Sequence, residues 1–290
     1  MRKETTEDKK EPIETVGILI HGISLSPDQD ESEVCLIAAN EIKRAGINPA
    51  RLRFDIYKRS VDARKKDRIR LVYSVAVRGE GASVLAKKKL RYTVSKLEER
   101  QMEFCEGTEP LTYPPLVVGM GPAGLFCALL LAERGYCPII IDRGDSVTER
   151  CKKHGEFVRY GKLDTESNIQ FGAGGAGTFS DGKLLTRIND PRISYVLRRF
   201  CDFGAPEEIL VAAKPHIGTD LLTGIVDRML IRIEELGGQV IYRCRLDEIK
   251  EQPDGTVIAV TTRGEIPCSS LVLAPGHSAR DTYDMLMRRG

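Results

Sequence analysis

Between Pro114 and Gly135 an apolar run, a glycine-spaced turn and a longer apolar stretch follow without interruption: Leu116-Val117-Val118, then Gly119-Met120-Gly121-Pro122-Ala123-Gly124, then Leu125 to Ala132. A second apolar run, Ile139-Ile140-Ile141, comes shortly after. A short buried strand, a helix and another buried strand make a β-α-β unit. This commits that part of the chain to a parallel sheet with helices on its faces. The glycine spacing narrows the choice further. Gly119 permits a tight turn, Gly121 leaves the backbone open to a pyrophosphate, and Gly124 allows close helix-on-strand packing. Pro122 and Ala123, in the turn into the helix, count among the expected cofactor contacts, and the helix N-terminus offers unpaired N–H groups and a partial positive charge to phosphates. Asp142 ends the second strand, eighteen residues beyond Gly124, where an acid bonds the hydroxyls of an adenosine ribose. Arg143 follows it and counts among the expected cofactor contacts. An acid there also disfavours a 2′-phosphorylated nucleotide, because two negative groups would meet.

The glycine turn alone does not decide between FAD and NAD. Further along lies a second cluster, Phe171-Gly172-Ala173-Gly174-Gly175-Ala176-Gly177-Thr178-Phe179-Ser180-Asp181-Gly182-Lys183. Such a loop can lay its backbone against a flat ring or a phosphate. Leu221 to Leu236 has helical spacing, and Gln239 to Arg243 looks like a strand. The segments near Ile249, Thr256 to Thr262 and Ile266 suggest an antiparallel meander with a Pro253-Asp254-Gly255 turn. Ser270 to Gly276 returns to a buried strand ending in Ala274-Pro275-Gly276. That order resembles the FAD domain of the glutathione-reductase type. There the last strand usually ends in Ala-Thr-Gly, whose hydroxyl and backbone N–H are lost here.

Three motifs sharpen the resemblance. They are Gly172 to Leu184, Lys214-Pro215-His216-Ile217-Gly218-Thr219-Asp220, and Gly276-His277-Ser278-Ala279-Arg280-Asp281-Thr282. Together they resemble the uncharacterised FAD-dependent dehydrogenases, also described as NAD(FAD)-utilising dehydrogenases, whose members carry a small domain before the flavin domain. The resemblance implies FAD pyrophosphate at Gly119, Gly121 and Gly124, and adenosine ribose at Asp142. It also implies a flavin side near Gly174, Gly175 and Ser180, and Gly276 at a strand end facing the cofactor. It names no substrate. His277 and Arg280 are candidates for an anionic substrate or a proton relay, with a structural hydrogen bond equally open. His216 reads as a loop or substrate-side residue, and His21 and His154 stay unassigned.

The residues before this region form another pattern. Gly17-Ile18-Leu19-Ile20 reads as a short strand. Glu31 to Arg44 reads as a helix with Val34, Ile37, Ala38 and Ile42 on one face and Gly46 as its stop. Leu52, Phe54 and Ile56, then Ile69, Leu71, Tyr73, Val75 and Val77, alternate as two strands of a hairpin across Asp62 to Asp67. A helix is expected near Ala82. The β-α-β-β-α order predicts a small α+β domain of ferredoxin-like kind. The expected plan is this domain at 13–104, a linker at 105–113, and a Rossmann-type α/β domain that binds FAD or NAD(P) from 114 to 290.

The formal net charge of +2 conceals a division: residues 51–100 hold 16 Lys/Arg against 6 Asp/Glu. Arg64-Lys65-Lys66 and Lys87-Lys88-Lys89 lie there. Few aromatics accompany them, so a solvated face is the default and a nucleic-acid partner is not expected. The eight cysteines form no CxxC pair. No metal cluster or disulfide-reductase dithiol follows, and they read as reduced, mostly packed thiols of a cytoplasmic protein. The charged start of the chain is no secretory signal, and no apolar run approaches the ~18 residues of a membrane span.

These readings converge on a FAD-dependent oxidoreductase. Hydride or electrons would pass between flavin and a small-molecule substrate, with NAD(P)H or an electron-transfer protein as candidate partner. The alternatives are a flavin-free NAD dehydrogenase and a nucleotide-sensing or nucleic-acid-interacting module using the basic N-terminal domain. Only fourteen residues follow Gly276, whereas a glutathione-reductase-type domain returns for a last strand. The resemblance therefore implies a chain that stops inside its second domain, with an unfinished FAD site, an uncovered sheet edge and no activity of its own.

Overall fold

The computed structural model describes residues 14–86, 88–99, 104, 107–184, 186, 188 and 190–289. The charged start of the chain, Lys87, Cys105 and the beginning of the expected linker lie outside these residues. The chain divides into two compact units.

The first unit holds β1 (Glu14–Leu25), α1 (Glu33–Arg44), β2 (Leu52–Asp62), β3 (Arg70–Gly79), α2 (Ala82–Leu85) and β4 (Thr93–Glu99). Its sheet runs β2-β3-β1-β4 with every neighbour antiparallel. β3 thus lies between β1 and β2, and β1 between β3 and β4, which is a split β-α-β connectivity used twice. Ile18, Ile20, Ile23 and Leu25 of β1 meet Val34, Ala38 and Ile42 of α1 and Tyr73, Val75 and Val77 of β3 in one core.

β1 is three times the length of the four-residue run read from the sequence. The inward set changes from even to odd positions after Ile20, because the β1–β3 register shifts between His21 and Ile23 and Gly22 sits at φ +86°. A bulge of this kind breaks the two-residue period on which the reading relied. β4 was absent from the expected order because it carries no apolar alternation. Val94 packs against the main core, whereas Leu97 meets Leu19 and Ala76 in a separate cluster. The helix expected near Ala82 is four residues long. Ile69 lies in the hairpin connection and is 42% exposed.

Two later stretches also belong to this unit: the described residues of Leu185–Arg198, and Glu207–Pro215. In the latter, the Arg59 N–H donates to the Val211 carbonyl at 2.7 Å and the Ala213 N–H to the Arg59 carbonyl at 2.8 Å. A parallel bridge thus covers part of the β2 edge. The Arg59 side chain spans Glu31 at 3.3 Å and Glu208 at 3.2 Å.

The second unit contains β5 (Leu116–Val118), α3 (Pro122–Glu133), β6 (Ile139–Ile141) and α4 (Val147–Tyr160). The residues of α5 (Arg192–Asp202) divide between the two units, and α6 (Thr219–Glu235) and β7 (Gln239–Ile241) follow in the second. β8 (Leu246–Glu251), β9 (Val257–Thr261) and β10 (Gly264–Cys268) form an antiparallel meander before β11 (Leu271–Leu273) and α7 (Arg280–Arg289). The main sheet is parallel, ordered β11-β5-β6-β7. β7 ends two residues before the strand read from the sequence, because Arg243 takes φ +52° and leaves the extended conformation. Leu116, Val118 and Ile141 of the sheet share a core with Leu246 and Ala259 of the meander and Met285 of α7.

Of the seven described cysteines only Cys244 and Cys268 are buried, while Cys137 and Cys151 are exposed. The thiols are therefore less packed than expected. Among the described residues no disulfide and no cluster able to hold a metal occurs. None of the described helices is long and apolar enough to cross a membrane.

Candidate functional site

The carboxyl ends of β5, β6 and β11 meet at one point, where an open parallel sheet holds its ligands. Gly119 leaves β5 with φ +106°, and a Cβ on it would collide with the Ala274 carbonyl. Its N–H donates to Ile141 at 2.7 Å, and the Ala274 N–H donates to Val118 at 2.8 Å. Gly124 sits in the first turn of α3 so close to the Gly119 carbonyl that any side chain would clash. Gly121 differs from both: it has an ordinary extended conformation, and a Cβ there would meet nothing within 4 Å. Its bareness serves no packing inside the chain and leaves room beside the helix N-terminus.

That room is part of a cavity of about 340 Å³, within the ~300–1,000 Å³ usual for cofactor sites. Gly119, Gly121, Pro122, Asp142, Arg143 and Gly175 line it, and Gly276 and His277 close its β11 side. Ala123, Gly124, Gly174, Ser180 and His216 are not on its wall. Gly174 instead faces Thr178 and Val226. The Ser180 hydroxyl donates to the Gly177 carbonyl at 2.8 Å and accepts from the Gly182 N–H at 3.2 Å, a local turn. The two glycine turns touch one another, since a Cβ on Gly175 would lie 3.1 Å from the Gly121 Cα. The Gly174 N–H joins them by donating to Met120 at 2.8 Å.

Asp142 is buried, and its two oxygens accept from the Met120 and Gly144 N–H groups, each at 2.8 Å. It thereby ties the first turn to the end of β6. Arg143 lies with its guanidinium 4.5 Å from the centre of the Phe171 ring. Its Nη2 donates to both Asp281 oxygens at 2.8 Å, joining β6 to the first turn of α7. Partial burial alone would raise the Asp281 carboxyl, but the Arg143 hydrogen bond holds it below its ordinary value. Behind the wall, Lys153 bonds Asp145 at 2.5 Å and Asp164 at 2.7 Å, and Arg243 reaches Asp164 at 3.1 Å.

Arg150 was not singled out by the sequence. It projects from α4, is 0% exposed, and sits 4.9 Å from the Phe179 ring centre. Its guanidinium donates to the carbonyls of Asn168 at 3.1 and 2.9 Å, Ile169 at 3.0 Å, Gly175 at 3.0 Å and Ala173, and to the Thr178 hydroxyl at 3.2 Å. Burial pushes its pKa down to about 10 despite the attraction of Asp142, so it stays charged at neutral pH. Gly172 is bare because a Cβ there would strike this side chain. Backbone carbonyls leave no mark in a residue pattern, so only the glycine they accompany was legible.

Residues 18–78 match a family described as a domain of unknown function (DUF8436). An uncharacterised protein of Clostridium beijerinckii is 43% identical over 280 residues, covering 94% of this chain and 51% of that protein. The chain thus spans about half the length of this curated relative. Among solved structures, thioredoxin reductase of Lactococcus lactis aligns over 57% of this chain and 36% of its own, at 15% identity and TM-score 0.33. Thermovibrio ammonificans THI4 aligns over 61% and 62%, at 16% identity and TM-score 0.39. OTEMO in complex with FAD and NADP aligns over 58% and 26%, at 11% identity and TM-score 0.36.

Proposed function

We propose that the second unit binds FAD and that the protein of which this chain is part is a flavin-dependent oxidoreductase acting on a small organic molecule. The observation that carries the reading is the bare Gly121 between β5 and α3, open to a cavity at the carboxyl ends of three parallel strands. A Cβ would fill this cradle, and a pyrophosphate fits it: the helix N-terminus supplies N–H groups, and a positive partial charge favours the phosphates. Asp142, whose oxygens each accept one backbone N–H, keeps lone pairs for ribose hydroxyls. Arg143 and His277 add polar character at the wall. In this reading Gly119 and Gly124 act through packing, and Gly175 and Gly276 bound the space left for the rest of the cofactor. Pro122 and Ala123 set the first turn of the helix. Gly174 and Ser180 shape the second loop rather than contacting the cofactor. We read the first unit as a ferredoxin-like domain accompanying the flavin domain, and NAD(P)H as the electron partner.

A bound flavin supplies the hydride or electron acceptor, and the chain's own groups bind, orient and exclude water. Purification followed by an absorption spectrum and calorimetric titration with FAD and NAD tests this. Visible flavin bands, or FAD uptake in preference to NAD, support the reading. A colourless protein that takes up NAD but not FAD overturns it in favour of a flavin-free dehydrogenase.

A further inference from the structure

A cation inside a protein is costly unless it is paired, and most buried arginines answer a carboxylate. Arg150 does not: among the described residues no Asp or Glu forms an ion pair with it, although it is 0% exposed. Its partners are peptide carbonyls and one hydroxyl, all on residues 168–178. A planar fork with five donors reaches all these acceptors at once, which the three donors on a lysine's single nitrogen cannot. The same stretch supplies Ile169, Gln170, Phe171, Gly172, Gly175 and Ala176 to the cavity wall. Arg150 stands behind that wall, where the bare Gly172 gives it passage. Two consequences follow. The wall has no regular secondary structure from Gly161 to Gly174, so its shape depends on the guanidinium. The charge is spread over neutral dipoles, with the buried carboxylate of Asp142 attracting it but not paired with it, and close to the cavity a low dielectric carries its field further than water would.

We propose that Arg150 is the positioning residue of this pocket, holding the 168–178 wall in place and lending the site a buried positive charge that selects an anionic, phosphate-bearing ligand. Choosing that ligand as the pyrophosphate of a flavin dinucleotide rests on the function proposed above; the positioning and the preference for an anion do not.

The test compares the wild-type chain with R150K and R150M. Each is titrated with FAD, ADP, adenosine and inorganic pyrophosphate, and amide hydrogen exchange is followed across 168–178. In R150M, exchange in this segment is expected to rise at least tenfold while β5, β6 and α6 of the same unit keep their protection, which shows that unit still folded. ADP and pyrophosphate are expected to weaken at least tenfold and adenosine less than threefold. R150K, which keeps the charge but loses the fork, is expected to recover the ADP-over-adenosine preference while exchange in the segment stays fast. A purely structural role would weaken ADP and adenosine alike and give no such recovery, and that result overturns the proposal. So does unchanged exchange in R150M. If the wild type takes up ADP and pyrophosphate but not FAD, the flavin reading fails and the Arg150 proposal is still judged on the remaining arms. If the wild type binds no anion, the charge-selection half of the proposal is overturned.

Discussion

At Gly121 the chain gives up a side chain without gaining any contact of its own. Its φ of −71° and ψ of 179° suit any residue, and the space beside it is empty. Gly121→Val is therefore expected to leave the unfolding free energy within about 0.5 kcal/mol of wild type, as for substitutions that disturb no packing. FAD affinity should fall by at least tenfold, about 1.4 kcal/mol. Urea unfolding and calorimetry on the same preparation read both numbers. Asp164 gives a pH-dependent counterpart. Burial would raise its carboxyl, but hydrogen bonds from Lys153 and Arg243 hold it well below its ordinary 3.8. Asp145, bonded by the same lysine, is lowered as well. A carboxylate with a depressed folded-state pKa contributes its stability in full above the unfolded value and loses it as pH falls toward the folded value. The stability gap between wild type and Asp164→Asn should thus be constant from pH 7 to 5 and shrink below about pH 4. Urea melts across that range check this, and a gap that widened on acidification would contradict the pairing.

At the scale of elements, what the residue pattern discloses depends on whether a period survives. The β5-turn-α3 unit is plain in the sequence because Leu116 to Val118, the three glycines and the apolar stretch after them each hold their spacing. The hairpin of β2 and β3 is visible for the same reason, through Leu52, Phe54 and Ile56 against Leu71, Tyr73, Val75 and Val77. Half of β1 is hidden, because one residue at Gly22 reverses which side chains point inward. A Cβ on Gly22 would meet nothing, so only its φ of +86° resists substitution. Gly22→Ala is accordingly expected to cost about 1–2 kcal/mol from backbone strain alone. The shift should appear in urea unfolding of the first unit without change in the affinity of the cavity for its ligand. The site was half legible on similar grounds. Its glycines and Asp142 announce themselves by spacing, whereas Arg150 and the Arg143–Asp281 link depend on partners brought close only by the fold.

On the scale of the whole molecule, the compact units do not follow the order of the chain. The β2 edge is capped by Val211 to Ala213, and Arg59 meets Glu208, 149 residues further on. A fragment ending at residue 104 would keep the core of the first unit but leave this edge strand unpaired. An unpaired edge is a template for association between copies. Light scattering and size-exclusion chromatography are expected to show that fragment self-associating at concentrations where the 290-residue chain does not. The same capping bears on how the protein is made. As the chain emerges from the ribosome, the hairpin, α1 and their core are complete early. The strip that pairs with part of β2 appears only after roughly another hundred residues, some 5–20 s of synthesis at usual rates. For that interval the nascent chain carries an open strand edge close to a run of lysines and arginines. During that time, pairing between neighbouring chains of a polysome competes with the arrival of Val211 to Ala213 at the β2 edge.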